Sequence, residues 1–171
     1  MSELEKVPGK RFLVIQVITK RQKPEDISTE LQEINQLVET YRGVVSDEII
    51  QRRDNPHPAF YIGPGKVDEL AEIIAERKDQ KDTGSADTGK ISVVVINDLV
   101  KPSQLFRIEK ELWKVDPNIK VWDRLDLILN IFDIHATTTE SKLQIDLARV
   151  AHSGPRIYGL GKTELSRQGG G

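Results

Sequence analysis

The sequence ISVVVIN, residues Ile91 to Asn97, is a nearly unbroken run of β-branched apolar residues. Runs of this kind are typical of parallel strands that are covered on both faces of a sheet. We therefore predict a strand here, and we expect it to be central in the sheet. The sequence RFLVIQVI, residues Arg11 to Ile18, has the same character and predicts a second buried strand.

Weaker strand signals and helical periodicities alternate around these two runs. The sequence VVSDEIIQ, residues 44–51, is interrupted by polar residues, which an edge strand tolerates. Short strands are also predicted at residues 60–62 and 119–122. Apolar residues at helical spacing predict helices over 27–41, 63–78, 102–114, 124–134 and 139–152. Strands that alternate with helices predict an α/β fold with a mainly parallel sheet flanked by helices.

The last predicted helix, over residues 139–152, is amphipathic. Leu143, Leu147 and Val150 follow one another at helical spacing. We expect these three side chains to pack against the preceding apolar helix.

Length and composition narrow the class of protein. The chain has 171 residues, 37% of them hydrophobic, which suits one domain or one domain with an appendage. The absence of cysteine excludes disulfides, thiolate metal sites and cysteine nucleophiles. The apolar runs are too short for a membrane segment. We expect a cytoplasmic protein.

Two stretches look like phosphate loops and fail the motif. A P-loop needs an earlier glycine and a hydroxyl residue after the lysine. At Gly65-Lys66 these positions hold Phe60 and Val67, and at Gly161-Lys162-Thr163 the earlier position holds Arg156. The turn from Gly63 to Lys66 is better explained as a tight strand-to-helix turn. The three histidines are scattered, so we predict neither metal ligands nor catalytic residues.

The C-terminal end is basic, although the chain as a whole has a formal charge of −2. Residues 136–171 carry a net charge of +2, which leaves −4 for residues 1–135. Cations with one aromatic residue are suited to phosphate contact and base stacking in structured RNA. The candidate RNA-binding residues are Arg149, His152, Arg156, Tyr158, Lys162 and Arg167. From composition alone, an ordinary basic linker explains this stretch equally well.

Several segments together resemble the N-terminal domain of the HflX family, whose members are translational GTPases that associate with ribosomes. The segments that carry the resemblance, in the order of the family, are QRRDNPHPAFYIGPGK (51–66), VIND (95–98), DR (123–124), IF (131–132), TESKLQIDLA (139–148) and LSRQGGG (165–171). The match extends over about residues 10–171.

The resemblance implies three regions. Residues 1–123 would form an α/β subdomain, residues 124–152 a helical, coiled-coil-like arm, and residues 153–171 a Gly-rich basic loop or linker toward a GTPase domain. The sequence contains no GTPase motifs of its own. The resemblance therefore implies GTP and Mg²⁺ as cofactors of the parent protein and none for this segment.

The resemblance also implies partners and a role. The basic loop would reach rRNA in the large ribosomal subunit, and the domain would regulate the GTPase domain in cis during ribosome rescue, ribosome splitting or stress response.

Two other functions stay open. The chain could be a self-contained nucleotide-binding α/β domain, for ATP, because open parallel sheets bind ligands beyond the carboxyl ends of their strands. The candidate contacts are Gly63, Gly65, Lys66 and Asn97. Alternatively, it could be a protein-interaction domain that uses exposed apolar faces.

Overall fold

The structure, a computed structural model, describes residues 9–152. The predicted basic loop over 153–171 lies outside the described residues. Strands and helices alternate along the chain as β1 (Arg11–Ile18), α1 (Pro24–Thr40), β2 (Val44–Arg52), α2 (Pro64–Arg77), β3 (Ile91–Ile96), α3 (Pro102–Leu112), β4 (Lys120–Asp123), α4 (Arg124–His135) and α5 (139–152). None of the described helices is both long and apolar enough to cross a bilayer.

The four strands form one parallel sheet in the order β2-β1-β3-β4. The predicted α/β fold with a parallel sheet is therefore confirmed. The two apolar runs are the central strands, and the polar-interrupted strand β2 lies at one edge. Ile15 of β1 pairs with Ile49 on one side and with Ile96 on the other, so β1 is hydrogen-bonded along both edges.

Helices cover both faces of the sheet because the crossover connections run in opposite directions. The β1-to-β2 connection moves one way along the sheet, and the later connections move the other way. Right-handed crossovers of opposite direction place their helices on opposite faces. Leu13 and Ile15 accordingly pack in one core with α2 and α3, whereas Phe12 and Val14 pack in the other core with α1 and α4.

Helix α4 belongs to this layered core. Its Leu127 and Ile131 are buried against the sheet and beside Ile34 and Val38 of α1. An Asp123–Asp126 capping box begins the helix directly after β4, with the Asp123 carboxylate accepting a hydrogen bond from the Asp126 amide at 2.8 Å. The α/β layer therefore continues past residue 123.

The strand predicted at residues 60–62 is wrong. These residues belong to a closed loop, in which the backbone of Tyr61 pairs with that of His57 in an isolated antiparallel bridge. The His57 ring also accepts hydrogen bonds from the amides of Ala59 and Phe60 through Nδ1. Local hydrogen bonds of this kind compete with strand pairing, and here they prevail.

The predicted packing of Leu143, Leu147 and Val150 is also wrong, since these side chains are 57%, 62% and 61% exposed. Ile145 is the buried residue of α5. It lies two positions from both leucines and therefore on the opposite side of the helix. Because α4 uses Leu127 and Ile131 to cover the sheet, α5 buries a single isoleucine and leaves its broader apolar face exposed.

Ile145→Ala is expected to lower the free energy of unfolding by about 2 kcal/mol, because it removes the one buried side chain of α5. Leu147→Ala is the matched control and should change stability by no more than about 0.5 kcal/mol. Urea unfolding of both variants measures the difference. A larger loss in Leu147→Ala than in Ile145→Ala would contradict the described orientation of α5.

Candidate functional site

A cleft with a volume of about 490 Å³ lies beyond the carboxyl ends of the two central strands. Its lining includes Gln16 near the end of β1 and Asn97 directly after β3. Between β1 and β3 the connections leave the sheet in opposite directions. This topological switch point is where open α/β sheets bind ligands.

Buried amide side chains form the floor of the cleft. The Asn97 side chain donates hydrogen bonds to Gln16 Oε1 at 2.6 Å and to the carbonyl of Glu30 at 3.1 Å. Gln16 Nε2 in turn donates to the Glu30 carboxylate at 2.5 Å, and Arg124 donates to Asn97 Oδ1 at 3.3 Å. The network joins strands β1 and β3 to helices α1 and α4, so the floor of the cleft has a fixed geometry.

Tyr61 forms one wall and has an unusual backbone conformation. Its φ of 63° lies in the left-handed region, which costs a residue with a bulky side chain of order 1–3 kcal/mol. The bridge to His57 holds this conformation, and the side chain of Gln104 donates to the His57 carbonyl at 3.1 Å. The Tyr61 hydroxyl donates to the carboxylate of Asp98, which also lines the cleft.

The position of Tyr61 alters its acidity. The side chain is buried, and both burial and the Asp98 carboxylate disfavour the negatively charged phenolate. Burial, followed by the hydrogen bond to Asp98, raises the pKa of Tyr61 above its ordinary value.

The charge of the cleft lining is negative. Its charged residues are the carboxylates of Glu30, Glu33, Asp54 and Asp98 and the guanidinium groups of Arg53 and Arg124. Two of the carboxylates have cationic partners, because Glu33 pairs with Arg124 at 3.3 Å and Asp54 pairs with Lys20 at 3.3 Å. The lining therefore contains more carboxylates, which accept hydrogen bonds, than guanidinium groups, which donate them.

Of the four candidate nucleotide contacts, the cleft lining contains Asn97. The other three residues lie at the N-terminus of α2 and outside this lining. There the Gly63 amide donates to Gln51 Oε1 at 2.9 Å, and Lys66 pairs with Glu69 at 2.6 Å. The structure thus separates Asn97 from the glycine turn that contains Gly63, Gly65 and Lys66.

The sequence-based site prediction missed most of the cleft. A signal was available, since three of the segments that carry the family resemblance meet here. Their residues in the lining are Arg53, Asp54, Pro56, Tyr61, Asn97, Asp98 and Arg124. Gln16 and Glu30 gave no such signal, because an amide in a strand and a carboxylate in a helix are common in any sequence.

Two of the candidate RNA-binding residues are described, and both have acidic or polar neighbours. Arg149 donates to Asn130 Oδ1 at 3.1 Å and pairs with Asp133 at 3.3 Å, on the surface of α4. The His152 ring points inward, with Nε2 at 3.1 Å from Asp123 Oδ2. The other four, Arg156, Tyr158, Lys162 and Arg167, lie outside the described residues.

His152 also belongs to the one group within residues 9–152 whose atoms converge closely enough to hold a cation. Its partners are Asp123 and Asp126, with all ligand atoms within 4.8 Å of one another. The Asp123 carboxylate already caps α4 and accepts a hydrogen bond from the Val100 amide at 3.2 Å. The arrangement is therefore a structural connection between the end of α5 and the start of α4.

Tyr61→Phe is expected to change how the free energy of unfolding and the tyrosinate absorbance depend on pH. The folded state retains the Tyr61 proton more strongly than the unfolded state, so stability from the neutral phenol is complete below pH about 10 and declines above it. Loss of the hydroxyl should lower the free energy of unfolding by about 0.5–1.5 kcal/mol at neutral pH and remove this decline.

Tyrosinate absorbance and urea unfolding over a pH series measure both effects. In the native chain, which has three tyrosines, one should ionise at a higher pH than a free tyrosine. A variant that still contains a late-ionising tyrosine would contradict the assignment.

The comparisons with known proteins agree with this fold. The family profile described as "GTP-binding GTPase N-terminal" matches residues 28–133. Among solved structures, the complex of SsGBP with GDP has a TM-score of 0.57 at 26% identity, over 88% of this chain and 37% of that chain. A GTP-binding protein from Sulfolobus solfataricus in complex with GDP shares the fold at 24% identity and a TM-score of 0.57, over 91% of this chain and 41% of that one.

Curated relatives make the class of protein more specific. The "GTPase HflX" of Lacrimispora saccharolytica is 35% identical over all 171 residues of this chain, which span 36% of that relative. The "GTPase HflX" of Escherichia coli is 36% identical over 143 residues, 83% of this chain and 29% of the relative.

The chain thus spans about a third of the length of these relatives. Fold and profile together define the N-terminal domain of a GTP-binding GTPase. The chain belongs to the HflX family.

Proposed function

We propose that the chain binds the large ribosomal subunit and contacts its rRNA, as the N-terminal regulatory domain of an HflX-type GTPase. The observation that carries this proposal is the separation of charge along this chain, which belongs to a GTPase family. Residues 1–135 carry a net charge of −4, whereas residues 136–171 carry +2 because acidic residues are sparse there. RNA attracts basic surfaces through its phosphates, so the basic end is the part that suits an rRNA partner.

The fold gives this basic end a fixed starting point. Helix α5 is anchored by the buried Ile145 and by the contact of His152 with Asp123. The segment with Arg156, Lys162 and Arg167 therefore continues from a helix that is docked on the α/β domain. A rigid support reduces the conformational entropy that is lost when such a segment binds.

The GTPase chemistry of the parent protein belongs to another part of it. The curated relatives are GTPases, and we propose that the parent protein binds GTP and Mg²⁺ through a domain that this sequence does not contain. The chain would then regulate that domain in cis and work in the cytoplasm, in ribosome rescue, ribosome splitting or stress response.

Reversal of Arg156, Lys162 and Arg167 to Glu is expected to abolish most binding to isolated large subunits. Each cation releases counterions when it neutralises a phosphate, so binding of the native chain should fall steeply as salt rises. Cosedimentation with large subunits over a salt series measures both effects.

The matched control is reversal of Lys81, Arg107 and Lys110 to Glu. These side chains are exposed and lie in the loop after α2 or on α3, so the net charge changes equally without affecting the basic end. The control should retain most binding and a similar salt dependence. Equal losses of binding in the two triple variants would show that general electrostatics explains the effect, and not a contact at the basic end. Intact binding by the first variant would move the contact to another surface, such as the exposed apolar face of α5.

A second candidate function is supported by the cleft at the switch point. Its position, volume and fixed polar floor are typical of small-molecule sites in open α/β sheets. This function is nucleotide binding by the α/β domain, with ATP as the nucleotide proposed from the sequence. It requires that Asn97→Ala weakens binding of the ligand to a chain that remains folded.

A further inference from the structure

We infer that the cleft between β1 and β3 binds a nucleoside, an uncharged base with its sugar, and disfavours a polyphosphate chain. The inference rests on the second candidate function, small-ligand binding at this cleft. It specifies the chemical class of the ligand and replaces ATP, the nucleotide proposed from the sequence, with an uncharged nucleoside.

The charge of the lining opposes a polyphosphate. Carboxylates outnumber guanidinium groups in the lining, and the Arg124 cation is already paired with Glu33. A triphosphate would bring several further negative charges close to Glu30 and Asp98, and like charges at such distances repel each other. An uncharged ligand avoids this penalty.

The N-terminus of α4, whose Arg124 lines the cleft, gives no compensation. Free backbone N–H groups at the start of a helix attract phosphate. At the start of α4, however, the Asp123 carboxylate accepts the Asp126 amide at 2.8 Å and adds a negative charge of its own. A phosphate would have to displace this cap before it could use the helix.

The polar groups of the lining suit sugar hydroxyls and base amino groups. Ionised carboxylates accept hydrogen bonds and donate none, and hydroxyl and amino groups are donors that match them. In dinucleotide-binding α/β sheets, a carboxylate in the crevice beyond the carboxyl ends of the strands hydrogen-bonds the ribose hydroxyl. Asp98, which follows β3, occupies such a position.

An apolar part of the lining suits the flat face of a base. Leu99 lines the cleft and has 68% of its surface exposed, and Val17 and Pro56 line the same cleft. The cleft volume of about 490 Å³ falls within the usual range for small-ligand sites. The site therefore combines hydrogen-bond acceptors, an apolar surface and a negative charge. A nucleoside matches these features because it has hydroxyl and amino donors, a flat base and no charge.

The test compares ligands that differ in charge. Adenosine, guanosine, cytidine and uridine, each beside its 5′-triphosphate, are titrated into the 171-residue chain by calorimetry and protein-observed NMR, with and without Mg²⁺. We expect at least one nucleoside to bind about tenfold more tightly than its Mg²⁺-free triphosphate. A short single-stranded RNA should bind the cleft more weakly than the free nucleoside, because its phosphodiesters are charged.

Three variants test whether the nucleoside binds in this cleft. Leu99→Ala should weaken nucleoside binding about threefold or more, whereas Leu143→Ala truncates another exposed leucine, outside the cleft, and should leave nucleoside binding unchanged. Glu33→Gln should narrow the difference between nucleoside and triphosphate, because it removes one negative charge and releases Arg124. Leu99 and Leu143 are both exposed, so these two variants are expected to fold.

The outcomes separate the two claims. A triphosphate or an RNA that binds more tightly than every nucleoside would overturn the inference and leave ligand binding at the cleft intact. No binding of any ligand at millimolar concentration would overturn the inference and the second candidate function together. Equal losses in Leu99→Ala and Leu143→Ala would place the binding site elsewhere and overturn the inference.

Discussion

The parallel pairing of β1 with both β2 and β3 is the constraint on which the rest of the structure depends. Because β1 lies inside the sheet, the chain must cross to one side for β2 and return past β1 for β3. The two crossovers place α1 and α2 on opposite faces and bury every residue of β1 except the partly buried Val17. The same reversal opens the cleft at the ends of β1 and β3. There the backbone N–H of Asn97 donates to the Ile15 carbonyl at 2.9 Å.

The polar floor of the cleft follows from this burial. Asn97 and Gln16 are 8% and 2% exposed, and buried amides must be hydrogen-bonded to avoid a large desolvation cost. They satisfy each other and also connect to Glu30 and Arg124. Stability and pre-organisation thus come from the same contacts. His152 attaches the end of α5 to Asp123 and Asp126 at the start of α4, so α5 is held against the α/β domain.

The fold class could be predicted from the sequence because its signals are local. Residues 91–97 and 11–18 indicate buried parallel strands in their own composition, and the structure places both at the centre of the sheet. Other features depend on contacts that are distant in sequence. The burial of Ile145 instead of Leu143 and Leu147 is decided by which face of α4 is already occupied.

The candidate site shows the same limit. The sequence predicts Asn97 because it stands at the carboxyl end of a predicted parallel strand, but its partners Gln16, Glu30 and Arg124 become neighbours only through the strand order. The left-handed backbone of Tyr61 arises from the closed loop around His57, which composition does not indicate. The ion pair between Arg11 and Asp82, at 2.6 Å, joins residues far apart in sequence and was equally unpredictable.

Hydrogen exchange of the chain, free and bound to isolated large ribosomal subunits, tests the central claim most directly, because it shows which residues the subunit covers. The account predicts new protection concentrated in residues 153–171, with the central strands and the cleft residues unchanged. Protection concentrated on the cleft or on the α2 and α3 face, with residues 153–171 exchanging as in the free chain, would contradict it.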